Sequence, residues 1–189
     1  DSPVAAAKSI TTNEDTPGTV TLTATDIDSV APTIFEVVST PNAAYGSASI
    51  SGNVLTFTPV ADWNGTTSMT YRAQDAQGAW SAPATVSITV TAANDAPVAA
   101  AKSITTNEDT AGTVTLTATD VDSAVPTVFQ IVAAPNAAHG TASISGSTLT
   151  FTPVANWNGT TSLTYRAQDA QGAWSAPATV SITVNAVND

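Results

Sequence analysis

The chain has 189 residues and no cysteine, with 15 acidic residues against four basic ones, a net charge of −11 although only 10% of it is charged. Four cations (Lys8, Arg72, Lys102, Arg166) cannot form a basic stripe, so nucleic acid and anionic membrane surfaces are excluded as partners. The missing thiols exclude disulfides, thiol catalysis and zinc–thiolate sites, and no apolar run approaches the roughly 18 residues a membrane span needs.

From Asp1 onward, apolar and polar residues alternate at period two in a background of Thr, Val, Ile, Ser and Ala, the pattern of half-buried strands. Strands are predicted near Val4–Thr12, Thr19–Thr25, Thr33–Ser39, Ser47–Ser51, Val54–Thr58, Ser68–Gln74 and Ala84–Thr91. Pro41-Asn42, Ser51-Gly52-Asn53, Asn64-Gly65 and Gln77-Gly78 mark the turns between them. Asn64-Gly-Thr and Asn158-Gly-Thr also match a glycosylation sequon, but Asn-Gly is the strongest tight-turn pair and the turn reading is preferred.

At Asp95 the chain starts again. The offset is a constant 94 residues without insertion or deletion, and the copies differ at 18 positions. A repeat of this length is too long for short solenoid units and suits a self-contained sandwich. We therefore expect two tandem seven-stranded antiparallel β-sandwiches with Greek-key, immunoglobulin-like topology, spanning 1–94 and 95–189. The joining pair Asn94-Asp95 recurs at Asn188-Asp189, which leads to the expectation of a longer array. No signal peptide opens at Asp1, so a targeting segment is expected elsewhere.

Alternation nominates the core as Val20, Leu22, Phe35, Val37, Leu55, Phe57, Met69, Tyr71, Val86, Ile88 and Val90, with their counterparts 94 residues later. Trp63 and Trp157 are expected to plug the sandwich end. Trp80 and Trp174, in Gly-Ala-Trp-Ser, are the more exposed aromatic candidates for a ligand. His139 replaces Tyr45 of the first copy, has no partner motif and is expected on the surface. Nothing resembles a repeated nucleophile–base arrangement, so an enzyme is not expected.

The acids gather at strand ends: Glu14 and Asp15 after the first strand, Asp26 and Asp28 after the second, Asp62 before the sixth, Asp75 after it, and Asp95 in the joint. With alternate strand ends at opposite poles, Asp26, Asp28 and Asp75 are expected at the incoming pole, Glu14 and Asp62 at the outgoing one. A tandem would then gather Glu14, Asp62, Asp95, Asp120, Asp122 and Asp169 at the joint. Half-sites are left at Asp1, Asp26, Asp28 and Asp75, and at Glu108, Asn188 and Asp189. Close carboxylates repel by roughly 1–4 kcal/mol per pair. Calcium, which takes about six to eight oxygens in irregular geometry, fits such a set better than magnesium.

The order Asn-Glu-Asp, Asp-x-Asp, Gln-Asp-Ala-Gln-Gly, Asn-Asp-Ala-Pro resembles cadherin repeats, and more closely the cadherin-like tandem repeats of large bacterial surface adhesins, such as the extender repeats of RTX-type adhesins. The resemblance covers the whole chain twice. It implies interdomain calcium held by Glu14, Asp120, Asp122, Asp169, the Asn94 carbonyl and Asp95. It further implies an extracellular or secreted spacer that stiffens on binding calcium and serves cell adhesion or biofilm formation, with neighbouring repeats as partners and self-association as an option. The linker Ala92-Ala93-Asn94-Asp95-Ala96 lacks two ligand positions of the cadherin pattern, and Asp62-Trp63-Asn64 replaces its Asp-Arg-Glu segment. One or two ions per joint are therefore expected rather than three. The alternative reading is a calcium-dependent carbohydrate-binding module in which Trp80 and Trp174 hold polysaccharide.

Overall fold

Period-two alternation becomes nine short strands per copy in a computed structural model that describes residues 1–28 and 30–188. The chain divides into two units, Asp1–Ala93 and Asn94–Asp189. The first contains β1 (Val4–Ala5), β2 (Lys8–Asn13), β3 (Gly18–Thr21), β4 (Ala24–Thr25), β5 (Ile34–Ser39), β6 (Gly46–Ser51), β7 (Val54–Pro59), β8 (Gly65–Gln74) and β9 (Ala84–Thr91). The second repeats the series as β10 (Val98–Ala99), β11 (Lys102–Asn107), β12 (Gly112–Thr115), β13 (Ala118–Thr119), β14 (Val128–Ala133), β15 (Gly140–Ser145), β16 (Thr148–Pro153), β17 (Gly159–Gln168) and β18 (Ala178–Asn185).

In each unit a four-stranded sheet faces a three-stranded one. Their orders are β2-β9-β8-β5 and β3-β7-β6 in the first unit, β11-β18-β17-β14 and β12-β16-β15 in the second. This is the expected all-β tandem of immunoglobulin-like sandwiches. The first predicted strand proves to be two. Val4 and Ala5 pair antiparallel with Thr25 and Ala24. After Ala6-Ala7 the chain crosses to the other sheet, where β2 runs parallel to β9 with Ile10 opposite Ile88. The second strand breaks likewise between β3 and β4 at Leu22-Thr23. Both breaks meet at one side chain: the Tyr71 hydroxyl lies 2.5 Å from the Ala6 carbonyl and 3.1 Å from that of Thr23. Tyr165 reaches Ala100 and Thr117 at the same distances.

The core is built from the alternating positions. Leu55, Phe57, Tyr71 and Val86 are wholly buried, with Leu22, Met69, Ile88 and Val90 beside them. Val20, Phe35 and Val37, expected inside, are only partly buried against that cluster, as is the plug Trp63. Ile10 and Ile104 join the core from strands whose outward neighbours are all polar. Because β5 and β14 are sheet edges with a register shift at Val37/Ser39 and Ile131/Ala133, their apolar positions are less deeply covered.

His139 differs from its expectation as a partnerless surface residue. It is half-buried and stacks on Trp157 at 4.4 Å between centroids, the place that Tyr45 takes on Trp63 at 4.7 Å. An imidazole is flat enough to replace the phenol there, which explains why the swap is tolerated.

Candidate functional site

Each unit carries its carboxylates at two ends, and the local turns decide where they point. At the incoming end of the second unit, Asp120 follows β13 and opens a turn in which its Oδ1 accepts the backbone N–H groups of Asp122 (3.2 Å) and Ser123 (3.1 Å). This is an Asx-type turn, and it aims both acids of Asp-x-Asp to one side. Asp122 Oδ2 accepts the backbone N–H of Asp95 at 3.1 Å.

Asp169 follows β17, and its Oδ1 accepts the N–H of Ala173 at 2.7 Å, closing the Asp-Ala-Gln-Gly turn. Its Oδ2 accepts the Asn94 side-chain amide at 2.8 Å. Five of the predicted residues, Asn94, Asp95, Asp120, Asp122 and Asp169, are thus joined by direct bonds within one unit.

The electrostatics of this end are those of crowded anions. Facing Asp120 pushes the Asp122 carboxyl up from its ordinary value, while the same contact and the turn N–H groups draw Asp120 down. Asp169 is drawn down chiefly by the Asn94 amide, against the cost of desolvation. The Asp120 Oδ2 atom is shielded from solvent and has no hydrogen-bond partner among the described residues. A shielded carboxylate oxygen without a donor is costly.

In the first unit Asp26, Asp28 and Asp75 recur at the equivalent end. Asp75 accepts Gln77 and Ala79 N–H groups at 2.9 and 2.8 Å. Asp28 Oδ2 meets the α-amino group of Asp1 at 2.5 Å, and Asp28, then Asp26 and Asp75, raise that amine's pKa.

The outgoing end is built differently. Glu14 is 3% exposed, yet both its oxygens are used: Oε1 accepts the Ala93 N–H at 2.7 Å and Oε2 the Asn64 amide at 3.1 Å. Glu108 accepts the Val187 N–H at 2.5 Å in the second unit. Asp62 is exposed, with φ +58°, and its own N–H donates to Asp15 Oδ1 at 3.1 Å, Asp15 also having φ +58°. Asn156 and Asp109 repeat that pair at φ +57° and +60°, with a bond of 3.0 Å.

Asp15 was named from the sequence as an acid at a strand end, but neither it nor Asp109 was placed in the expected site. Their signal was available, since Asp and Asn tolerate the left-handed region better than other side chains. Asn188 lies beyond the last strand, and Asp189 lies outside the described residues.

The aromatic candidates Trp80 and Trp174 form β-bridges with Gln74 and Gln168 at the ends of β8 and β17. Trp80 and Trp174 are half-buried, and each has a guanidinium over its ring, Arg72 and Arg166 respectively, at 4.1 Å from the centroid. Arg72 is held in turn by Glu36, and Arg166 by Gln130 with almost the same distances. One face of each indole is therefore already occupied by a cation–π contact.

The model of the bacterial Ig domain family matches residues 1–89 and again 94–183. No curated protein sequence matches the chain. Among solved structures, human protocadherin-24 EC1-2 is similar with a TM-score of 0.63 at 20% identity, over 100% of this chain and 99% of that one. Drosophila N-cadherin EC1-3 aligns with a TM-score of 0.39 at 14% identity, over 99% of this chain and 68% of that one. An endo-fucoidan hydrolase of glycoside hydrolase family 107 aligns with a TM-score of 0.38 at 18% identity, but this chain covers only 29% of it. Likeness at these identities speaks to the fold alone.

Proposed function

Because the chain belongs to the bacterial Ig domain family, we propose that it is a structural and adhesive segment of an extracellular protein, with calcium binding where one unit follows the next. Calcium would be held by Asp95, Asp120, Asp122, Asp169 and the Asn94 carbonyl from the second unit, completed by Glu14 and Asp62 from the first. The observation that carries the reading is the shielded Asp120 Oδ2, which has no hydrogen-bond partner among the described residues and sits beside a second carboxylate, that of Asp122.

Oxygen-only donors, several of them anionic and carried on turns, suit calcium's variable coordination. The first unit supports the same assignment through Glu14, whose bond to Ala93 lies one peptide bond from Asn94. Calcium would supply positive charge that removes the Asp120–Asp122 repulsion. The chain's own part is to fix the turns that aim these oxygens and to keep the Ala93–Asp95 segment tied on both sides.

A stiffened joint lets successive units act as a spacer carrying an adhesive domain away from a cell surface, where adhesion or biofilm formation would be its use. The test is small-angle scattering and thermal unfolding of the whole chain in calcium and in chelator. A narrower distribution of shapes and a higher melting temperature in calcium are expected. Superimposable scattering and melting curves in the two buffers would refute the proposal.

A further inference from the structure

We propose that Asn158–Gly159 is a site of spontaneous deamidation, and that in the first unit the bond from Asn64 to Glu14 slows the same reaction. Asn-Gly occurs at these two places, its glycine opening the longest strand of each unit. The glycine is fixed by the backbone: Gly65 and Gly159 have φ of +140° and +136°, values that side-chain-bearing residues rarely adopt. A Cβ would also crowd the indoles of Trp63 and Trp157, at 3.2 and 3.4 Å from Cζ2. Without a Cβ, the glycine nitrogen meets little hindrance on approach to the asparagine Cγ.

In the reaction the Gly159 nitrogen attacks Asn158 Cγ, the Cγ–Nδ2 bond breaks, and ammonia leaves carrying the amide proton. Water then opens the five-membered succinimide at either carbonyl, giving aspartate or isoaspartate. One water is consumed and one ammonia released, with no oxidant or cofactor.

The two asparagines differ in what holds them. Both are exposed, but the Asn64 amide donates to Glu14 Oε2 at 3.1 Å. The Asn158 side chain makes no hydrogen bond among the described residues. Turning Asn64 away to form the ring breaks a charge-assisted bond to a carboxylate that is itself buried. Asn158 pays no such cost. The product also differs in consequence: a carboxylate at position 64 would face Glu14, whereas one at 158 stays in solvent.

This inference stands apart from the calcium reading and is tested in chelator. The whole chain is incubated at mildly alkaline pH, and each Asn-Gly peptide is followed by mass spectrometry, which reads the exchange of NH₂ for OH. In denaturant the two sites should convert at equal rates. In the folded chain Asn158 should convert several-fold faster than Asn64. Glu14→Gln, which keeps an oxygen for the Ala93 N–H but offers Asn64 an amide, should raise the Asn64 rate towards that of Asn158. Equal folded-state rates, a faster Asn64, or an inert Asn158 alongside normal conversion in denaturant would overturn the proposal. A Glu14→Gln chain that folds but leaves Asn64 slow would remove the protective role.

Discussion

Glu14 accepts the backbone N–H of Ala93 at 2.7 Å across 79 positions of sequence, tying the turn after β2 to the chain leaving β9. Glu108 does the same for Val187. The turn after the first long strand therefore fastens the last one, and the fastening group is a carboxylate with almost no exposure.

Removing it should cost more than removing any exposed acid. Glu14→Ala leaves the Ala93 N–H and the Asn64 amide without their acceptor, and hydrogen bonds to charged groups are worth about 1.5–3 kcal/mol each. We expect a loss of about 2–3 kcal/mol in urea unfolding of the first unit. Glu36→Gln should change stability by less than about 1 kcal/mol, because the Arg72–Glu36 pair is solvent-exposed. The second unit already keeps that geometry with Gln130.

Asp122→Asn separates the two roles of the acidic turn. In chelator it removes a like charge facing Asp120 and should leave the second unit as stable as the parent or slightly more so. In calcium it deletes a proposed ligand, so the melting temperature gained on adding the ion should shrink. Calcium titration by calorimetry, with melting curves in both buffers, reads this reversal. A mutant that loses stability equally with and without calcium would reduce Asp122 to a turn former.

Acidification should act in two opposed steps. Asp169 is drawn below its unfolded value of about 3.9 by the Asn94 amide, so its contribution is present above that pH and lost as pH falls through the depressed pKa. Asp120 follows the same sign. Asp122 is raised by Asp120, so the calcium-free folded state takes that proton more readily than the unfolded chain. Stability is gained as pH drops through the raised value and lost again as pH climbs back. In chelator, the melting temperature of the second unit should therefore first rise and then fall on acidification from neutrality. Asp122→Asn should abolish the rise, and Asn94→Ala should diminish the fall.

The sandwich was legible because period-two alternation needs no tertiary knowledge: Leu55, Phe57, Val86 and Ile88 are buried where the pattern places them. What alternation cannot show is a strand that changes sheets. Val4–Thr12 reads as one continuous element, yet its break at Ala6-Ala7 is set by a tyrosine 65 residues away. The acids were legible as turn residues, and four of them, with Asn94, do come together at the second unit's incoming end. Their division of labour was not. Glu14 and Glu108 hold backbone, and Asp62 and Asn156 share a left-handed conformation that position 62 needs whether or not it carries a charge.

That break in the first strand leads to the remaining prediction. The Tyr71 hydroxyl reaches both the Ala6 and Thr23 carbonyls, and burial pushes its own pKa up. Thr23 has a second partner in the Ala6 N–H at 3.0 Å, so the Ala6 carbonyl depends more on the phenol. Tyr71→Phe keeps the ring in the core and deletes only this donor. It should cost about 1–2 kcal/mol, the penalty for leaving a buried acceptor unsatisfied. Tyr165→Phe should cost the second unit as much, since Ala100 and Thr117 repeat the arrangement. Because the units are joined by one peptide segment, the two substitutions should add in denaturant unfolding, each moving its own unit's transition. Hydrogen exchange gives the local reading: the amide of Ala6, which pairs with Thr23 across the break, should lose protection in Tyr71→Phe while those of β7 keep theirs. Uniform loss across the first unit would mean that the tyrosine supports the whole core rather than the crossing of the strand.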